Sequence, residues 1–266
     1  MRLIRSHVFN VAFVVWTALI LIGLALLLPL PRRAMLWGVG VWADGVSALA
    51  RALVGITYEV RGRQNLVPGG AVYASKHQSA WETAVFYRIL PEPAYVMKKE
   101  LFRIPLWGWC ARKVGAVSVD RAGGGQALRQ LIKACGNAVS LGRQVVIFPE
   151  GRRIAPGVTQ GYHPGIAAIY GAIGDAPVIP VALNSGLYWG RRSKIKWPGK
   201  IVIEFLPALP KGLSRRAFMA ELEGRIEPAT RRLEAEGAAA LAALGYTSAL
   251  GQPAAAEPAP GSEAGR

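Results

Sequence analysis

The chain has 266 residues, 52% of them hydrophobic and 18% charged, which excludes wholesale disorder and suits one sizeable α/β domain with an attachment. Its 32 Lys and Arg against 16 Asp and Glu give a formal net charge of +16. That surface attracts anionic headgroups, phosphorylated substrates, acidic carriers or nucleic acid, and part of the excess fits the basic flanks of a membrane segment.

Residues 8–30 read "VFNVAFVVWTALILIGLALLLPL", 23 residues without a charge, against the ~20 needed to cross a bilayer core as a helix. The run is too long for a usual signal-peptide core and no small-residue cleavage site follows it, so it reads as a retained anchor. Arg2 and Arg5 precede it and Arg32 and Arg33 follow, so its flanks leave the orientation open. A second apolar stretch covers residues 34–56, with Met35, Val39, Trp42, Val46, Leu49 and Leu53 at helical spacing. Pro29 and Pro31 separate the two helices. The pair can span and return, or lie partly buried in one leaflet.

From Thr57 the pattern changes to short β-rich runs: "ITYEVRG", "GAVYAS", "AYVMKK", "GAVSVDR", "QVVIFPEG", "PVIPVAL" and "KIVIEFLP". Several are too uniformly apolar to have a wet face. Residues 84–90, 125–140 and 165–173 read as helices between them, and the alternation predicts a sheet covered on both faces. A last helical region, 215–244, is expected to be interrupted at Pro228. The boundaries that follow are 1–56 for the membrane-associated helices, 57–247 for the α/β domain, and 248–266 for a disordered Pro-, Ala- and Gly-rich tail.

Three stretches can carry chemistry. In "HQSAWE", His77 follows a strand candidate directly, where α/β sheets present ligand-binding residues. On one regular helix His77 and Glu82 would point ~140° apart. They meet only if His77 precedes the helix and Glu82 opens it, as a base and the acid that orients it. The plainer alternative makes Glu82 a first-turn acid that complements the helix dipole. In "IFPEGRR", a strand ends in a turn and two arginines; Gly151 allows close backbone approach, and Arg152 or Arg153 can grip a phosphate. In "VMKKELFRIPLWGW", Lys98 and Lys99 suit phosphate, and the tryptophans can line an acyl-chain cleft, rest at a membrane interface or pack in the core.

Other signals are weaker. "RAGGGQ" lacks both the P-loop Lys-Ser/Thr and the dinucleotide spacing and reads as a flexible loop. "WGRRSKIKWPGK" is either a solvated basic hairpin or a dock for headgroups or an acidic carrier. His163 has no evident partner. Cys110 and Cys135 stand in no metal or CxxC spacing and read as structural thiols.

The three stretches, in this order, resemble the lysophosphatidate acyltransferase family, the glycerophospholipid acyltransferases of the PlsC type. The family's first block, a histidine and then an aspartate after four intervening residues, appears as His77 and Glu82, with glutamate in the aspartate's place. The second is similar to Lys98-Lys99-Glu100-Leu101 with Pro105 and Gly108, continuing to Gly115 and Asp120-Arg121. The third is Phe148-Pro149-Glu150-Gly151-Arg152-Arg153, with Arg152 where the family has threonine, and the fourth is Val178-Ile179-Pro180-Val181. Gly165 matches a further family glycine, and the likeness covers roughly residues 57–210.

The resemblance implies an α/β fold with a mixed central sheet covered by helices, preceded by an N-terminal membrane-associated helical pair. It implies transfer of a fatty acyl group from acyl-CoA or acyl carrier protein to the free hydroxyl of 1-acylglycerol-3-phosphate, giving phosphatidic acid. His77 is then the general base and Glu82 its orienting acid. Lys98, Lys99, Arg152 and Arg153 bind the acceptor's phosphate, and Glu150 with Gly151 shapes the acceptor site. The expected partners are a lysophospholipid, the thioester donor and the bilayer, with no nucleic acid, metal or cofactor. The expected location is a bacterial inner membrane, with the catalytic domain facing the cytoplasm. The alternatives are another lysolipid acceptor, such as a lyso-ornithine lipid, or a membrane-anchored basic module that binds without turnover; binding alone does not require the His, Glu and FPEG blocks.

Overall fold

The computed structural model describes residues 1–246, so the tail expected at 248–266 lies outside the described residues. Helix α1 (Arg2–Leu26) is followed by α2 (Arg32–Leu49), which ends in a wider helical turn at Ala50–Val54. The α/β part then runs β1 (Ile56–Arg61), β2 (Ala71–Ser75), α3 (Glu82–Ile89), β3 (Pro93–Lys98), α4 (Trp107–Val114), β4 (Val117–Val119), α5 (Gly124–Ser140) and β5 (Gln144–Ile147). It closes with α6 (Gly165–Tyr170), β6 (Val178–Leu183), α7 (Ser185–Tyr188), β7 (Gly199–Phe205) and α8 (Arg215–Ala243).

All seven strand candidates pair into one sheet, in the order β1-β7-β6-β2-β5-β3-β4. Every pairing is parallel except β6 with β7, which makes the sheet mixed. Side chains alternate between faces along each strand, so one strand feeds two cores. Ala71 and Tyr73 of β2 join Val146, Ile179 and Ile203 under α2 and α3. Val72 and Ala74 join Val145, Ile147 and Val178 under α5, α6 and α8, through Leu131, Ile166, Phe218 and Leu222. This double burial is why the strands read as continuous apolar runs. Cys110 falls in the first core and Cys135 in the second, both as free buried thiols.

Parallel pairing also positions the site. Because β2, β5, β3 and β4 are neighbours running the same way, their carboxyl ends lie side by side. The residues that follow those ends are His77, the 148–153 turn, Lys98-Lys99 and Asp120-Arg121. Four segments far apart in sequence meet at one edge of the sheet, where such folds bind ligands.

Four local expectations are corrected. Helix α1 begins at Arg2 and stops at Leu26; Leu27 to Leu30 form turns ahead of Pro31, because the residue before a proline is driven out of helical geometry. Helix α8 runs through Pro228 without interruption. Phe218, Leu222 and Ile226 before it and Leu233 after it are fully buried, and that packing outweighs one missing N–H. "RAGGGQ" is a turn only as far as Gly123; Gly124 opens α5, where first-turn N–H groups need no intrahelical acceptor. Residues 189–198 form no hairpin: Arg191, Arg192 and Lys194 are exposed, while Trp189 and Lys196 are buried. Trp189 stacks edge-on against Phe9 and Phe13 of α1, at 4.9 and 5.4 Å, so apolar packing removes the aromatic half of that segment from solvent.

Among the described residues α1 is the one helix long and apolar enough to cross a bilayer. It does not stand away from the domain. Trp16 Nε1 donates to the Trp42 carbonyl, Trp42 Nε1 donates to Thr17 Oγ1, and the Lys196 backbone N–H donates to Ser6 Oγ. Its other face leaves Ile4, Val14, Leu19, Ile22 and Leu26 each more than half exposed, an apolar stripe of the kind that faces lipid.

Candidate active site

Helix α3 opens at Glu82, whose side chain is fully buried and receives five hydrogen bonds. Oε1 accepts from His77 Nδ1 at 2.9 Å and from the backbone N–H groups of Gln78 and Ser79 at 2.6 and 2.7 Å. Oε2 accepts from the hydroxyls of Ser79 and Ser185, both at 2.9 Å. The loop 77–81 thus folds around the carboxylate as an N-terminal cap, and the imidazole is one of the groups it collects. Burial pushes the Glu82 carboxyl up, but the His77 bond and charge with the Ser79 and Gln78 N–H groups bring it below the ordinary carboxylate value. An ionised carboxylate only accepts, so Nδ1 carries a proton, and neutral His77 has Nε2 free as a base.

The ring is fixed from a second side by Phe148, stacked on it at 4.0 Å between centroids and 17° between planes. Its backbone is held too: the His77 N–H donates to Glu150 Oε2 at 2.9 Å and its carbonyl accepts from the Ile154 N–H at 2.8 Å. Block one and block three are therefore one structure. Gly151, with φ +67°, occupies the left-handed region, and a Cβ there would meet the His163 ring at 2.7 Å; glycine is required on both grounds.

His77 lines a cavity of about 760 Å³. Its lining combines the cations Lys98, Arg121, Arg152, Arg153 and Arg191, with His163 and Asp120, and apolar side chains from α1 (Ile20, Leu24), α2 (Val39, Trp42), α4 (Trp107) and α5 (Leu131). A lining of that mixed kind takes an amphiphile with an anionic head. Among the described residues no group of three or more His, Cys, Asp or Glu side chains could hold a metal.

The family model described as "Acyltransferase" matches residues 57–184. A 1-acyl-sn-glycerol-3-phosphate acyltransferase of Pseudomonas aeruginosa is 37% identical over 187 residues, covering 70% of this chain and 72% of the relative. The chain belongs to this acyltransferase family. A Chlamydomonas reinhardtii enzyme of the same description is 29% identical over 154 residues, covering 56% of this chain and 46% of that relative. The 1-acyl-sn-glycerophosphate acyltransferase PlsC of Thermotoga maritima superposes with a TM-score of 0.71 at 20% identity, over 88% of this chain and 100% of that one, showing the shared fold.

In this acyltransferase the sequence-derived residues divide into two groups. His77, Lys98, Gly151, Arg152 and Arg153 line the cavity. Glu82, Lys99 and Glu150 do not. Lys99 Nζ is 2.5 Å from Asp120 Oδ2, so it braces the turn whose Asp120 and Arg121 reach the cavity. Glu150 is fully buried and lies 2.7 Å from Lys76 Nζ. Burial raises its carboxyl to about 7, with the Lys76 charge and hydrogen bond pulling the other way.

Three participants lie outside the blocks. Arg191, from the segment read as a basic hairpin or a headgroup dock, and His163, read as having no evident partner, both reach the cavity, and Ser185 joins Glu82 across 103 positions. Nothing local marks Ser185. A clue was available for Lys76, a charge continuing the fully buried run "AVYAS", which demands a buried counterion. The tryptophans divide: Trp107 faces the cavity and meets Trp42 edge-on at 6.5 Å, while Trp109 is 52% exposed.

Proposed function

We propose that the protein transfers a fatty acyl group from a thioester, on coenzyme A or acyl carrier protein, to the free hydroxyl of 1-acylglycerol-3-phosphate. One observation carries the reading: His77, oriented by a buried carboxylate, opens onto a cavity lined by both cationic and apolar side chains. The Pseudomonas relative's activity agrees with it.

In the proposed reaction His77 Nε2 takes the proton of the acceptor hydroxyl as its oxygen attacks the thioester carbonyl. The intermediate collapses with loss of the thiolate, and the imidazolium returns the proton to sulfur. Glu82 stabilises the imidazolium and keeps the productive tautomer. Lys98, Arg152 and Arg153 bind the phosphate, joined by Arg121 and Arg191; Lys99 supports them through Asp120. Gly151 and Glu150 shape the acceptor site, Glu150 from beneath by holding the His77 backbone. Phosphate binding away from the reacting carbonyl supplies orientation. The apolar face of α1 rests in the bilayer, and the proposed location is a bacterial inner membrane with the α/β domain on the cytoplasmic side.

The test crosses acyl-CoA and acyl carrier protein donors with phosphorylated and unphosphorylated lysolipids, using purified protein in detergent. Turnover confined to phosphorylated acceptors is expected; equal turnover of a lyso-ornithine lipid would replace the acceptor, and none with any pair would refute the reading.

A further inference from the structure

Behind the cavity lies a second set of titratable groups that the reaction above does not use. On α8, Glu223, Glu227, Thr230 and Glu234 recur every three or four residues and so form one stripe. Glu227 Oε1 accepts from Lys76 Nζ at 2.7 Å and from the Tyr162 hydroxyl at 2.7 Å. Glu234 Oε1 accepts from Gln78 Nε2 at 2.5 Å, and its Oε2 from the Gly157 N–H at 3.0 Å. Glu223 Oε1 accepts from the Tyr162 N–H at 3.2 Å. Lys76 and Gln78 are the two neighbours of His77, and residues 157–162 lead from the arginine turn to His163. Lys76, Gln78, Glu227 and Glu234 are all buried and none lines the cavity.

Two carboxyl groups, Glu150 and Glu227, thus flank the Lys76 ammonium in the interior, and a third, Glu234, holds Gln78 beside it. Such a cluster is a poor way to gain stability, because desolvating the charges costs about as much as their pairing returns. What it supplies is direction. Lys76 is tied to Glu227 on α8 and to Glu150, whose other oxygen holds the His77 N–H. Gln78 is tied to Glu234 and, through Oε1, to the Gly186 N–H at 3.1 Å. The main chain carrying the histidine is therefore pinned on both sides by one helix more than 140 residues away.

We propose that Glu227 and Glu234 of α8 are positioning residues for His77, acting through Lys76–Glu150 and through Gln78. The inference rests on the reading of His77 as the general base. Apolar groups of the same shape would pack α8 equally well; only directional, charged partners set the backbone of residues 76–78 to the accuracy that proton transfer requires.

The test uses the full-length protein with Glu227→Gln, Glu234→Gln, Lys76→Met and the double variant Lys76→Met/Glu227→Gln, each with His77→Ala beside it. Glu227→Gln keeps the size and the Tyr162 contact but removes the charge facing Lys76. Its kcat is expected to fall about 10–100-fold, with KM for donor and acceptor within about twofold and an unchanged folded fraction. The double variant should lose less than the sum of its single changes, as residues acting as one unit do. With only three histidines in the chain, nitrogen-15 histidine NMR identifies His77 by its loss in His77→Ala, and its Nδ1–H resonance should move in Glu227→Gln. If Glu227→Gln fails to fold, Glu234→Gln carries the same readouts through Gln78. Wild-type kcat with an unmoved resonance, or activity lost only in proportion to unfolded protein, would overturn the proposal. If His77→Ala stayed active, the base assignment itself would fall instead.

Discussion

At the scale of single residues, the question is what holds a histidine ready. Glu82 answers it with five donors on one buried carboxylate. With glutamate where the family has aspartate, the carboxylate still reaches His77 Nδ1 at 2.9 Å. Since folding lowers this carboxyl, Glu82 contributes stability that is present above the unfolded carboxylate range and lost as pH falls through its folded value. Thermal melts from about pH 7 down to 3 should therefore show a steeper acid loss for wild type than for Glu82→Gln; parallel curves would deny the assignment. Arg153 lines the cavity beside other cations. Arg153→Ala should cost roughly 1.5–3 kcal/mol in binding phosphorylated acceptors and leave the KM for donor nearly unchanged. An equal loss for both substrates would contradict a phosphate role.

At the scale of elements, α1 both packs on the domain and presents an apolar outer stripe. Phe9 is fully buried against Trp189, so Phe9→Ala should destabilise by about 3–5 kcal/mol, read as a lowered melting temperature in detergent. The exposed stripe predicts that high salt and alkaline carbonate leave the protein on membranes while detergent releases it; release by carbonate would rule out hydrophobic attachment. The elements were largely legible in the sequence, because doubly buried strands and a break at Pro29 and Pro31 leave strong local patterns. What misled was local too: Pro228 signals a helix break, yet α8 continues because Phe218, Leu222, Ile226 and Leu233 anchor it on both sides. The 189–198 segment looked like a basic hairpin because its arginines and lysines hide the pull of Trp189 towards α1.

At the scale of the whole molecule, the parallel order β2-β5-β3-β4 turns blocks separated by dozens of residues into one pocket. The residue types and their order were readable, and so were the His77–Glu82 pair and the arginine turn. The division between groups that line the cavity and groups that brace it was not, since Lys99, Glu150 and the α8 carboxylates differ from cavity residues only in what lies across from them. Burial raises both thiols, Cys135 to about 12, which disfavours the thiolate a covalent acyl carrier needs. The proposed reaction is direct transfer, so although Cys110 lines the cavity, Cys110→Ala/Cys135→Ala should retain most of its turnover; a trapped acyl-cysteine would contradict this. The most direct test of the central claim is kcat at saturating 1-acylglycerol-3-phosphate for Glu82→Gln, with folding verified by thermal melt. A fall of about 10²–10⁴-fold is expected, with Glu82→Asp retaining far more. Wild-type kcat in Glu82→Gln, with His77→Ala inactive, would reduce Glu82 to a helix cap and contradict the pairing.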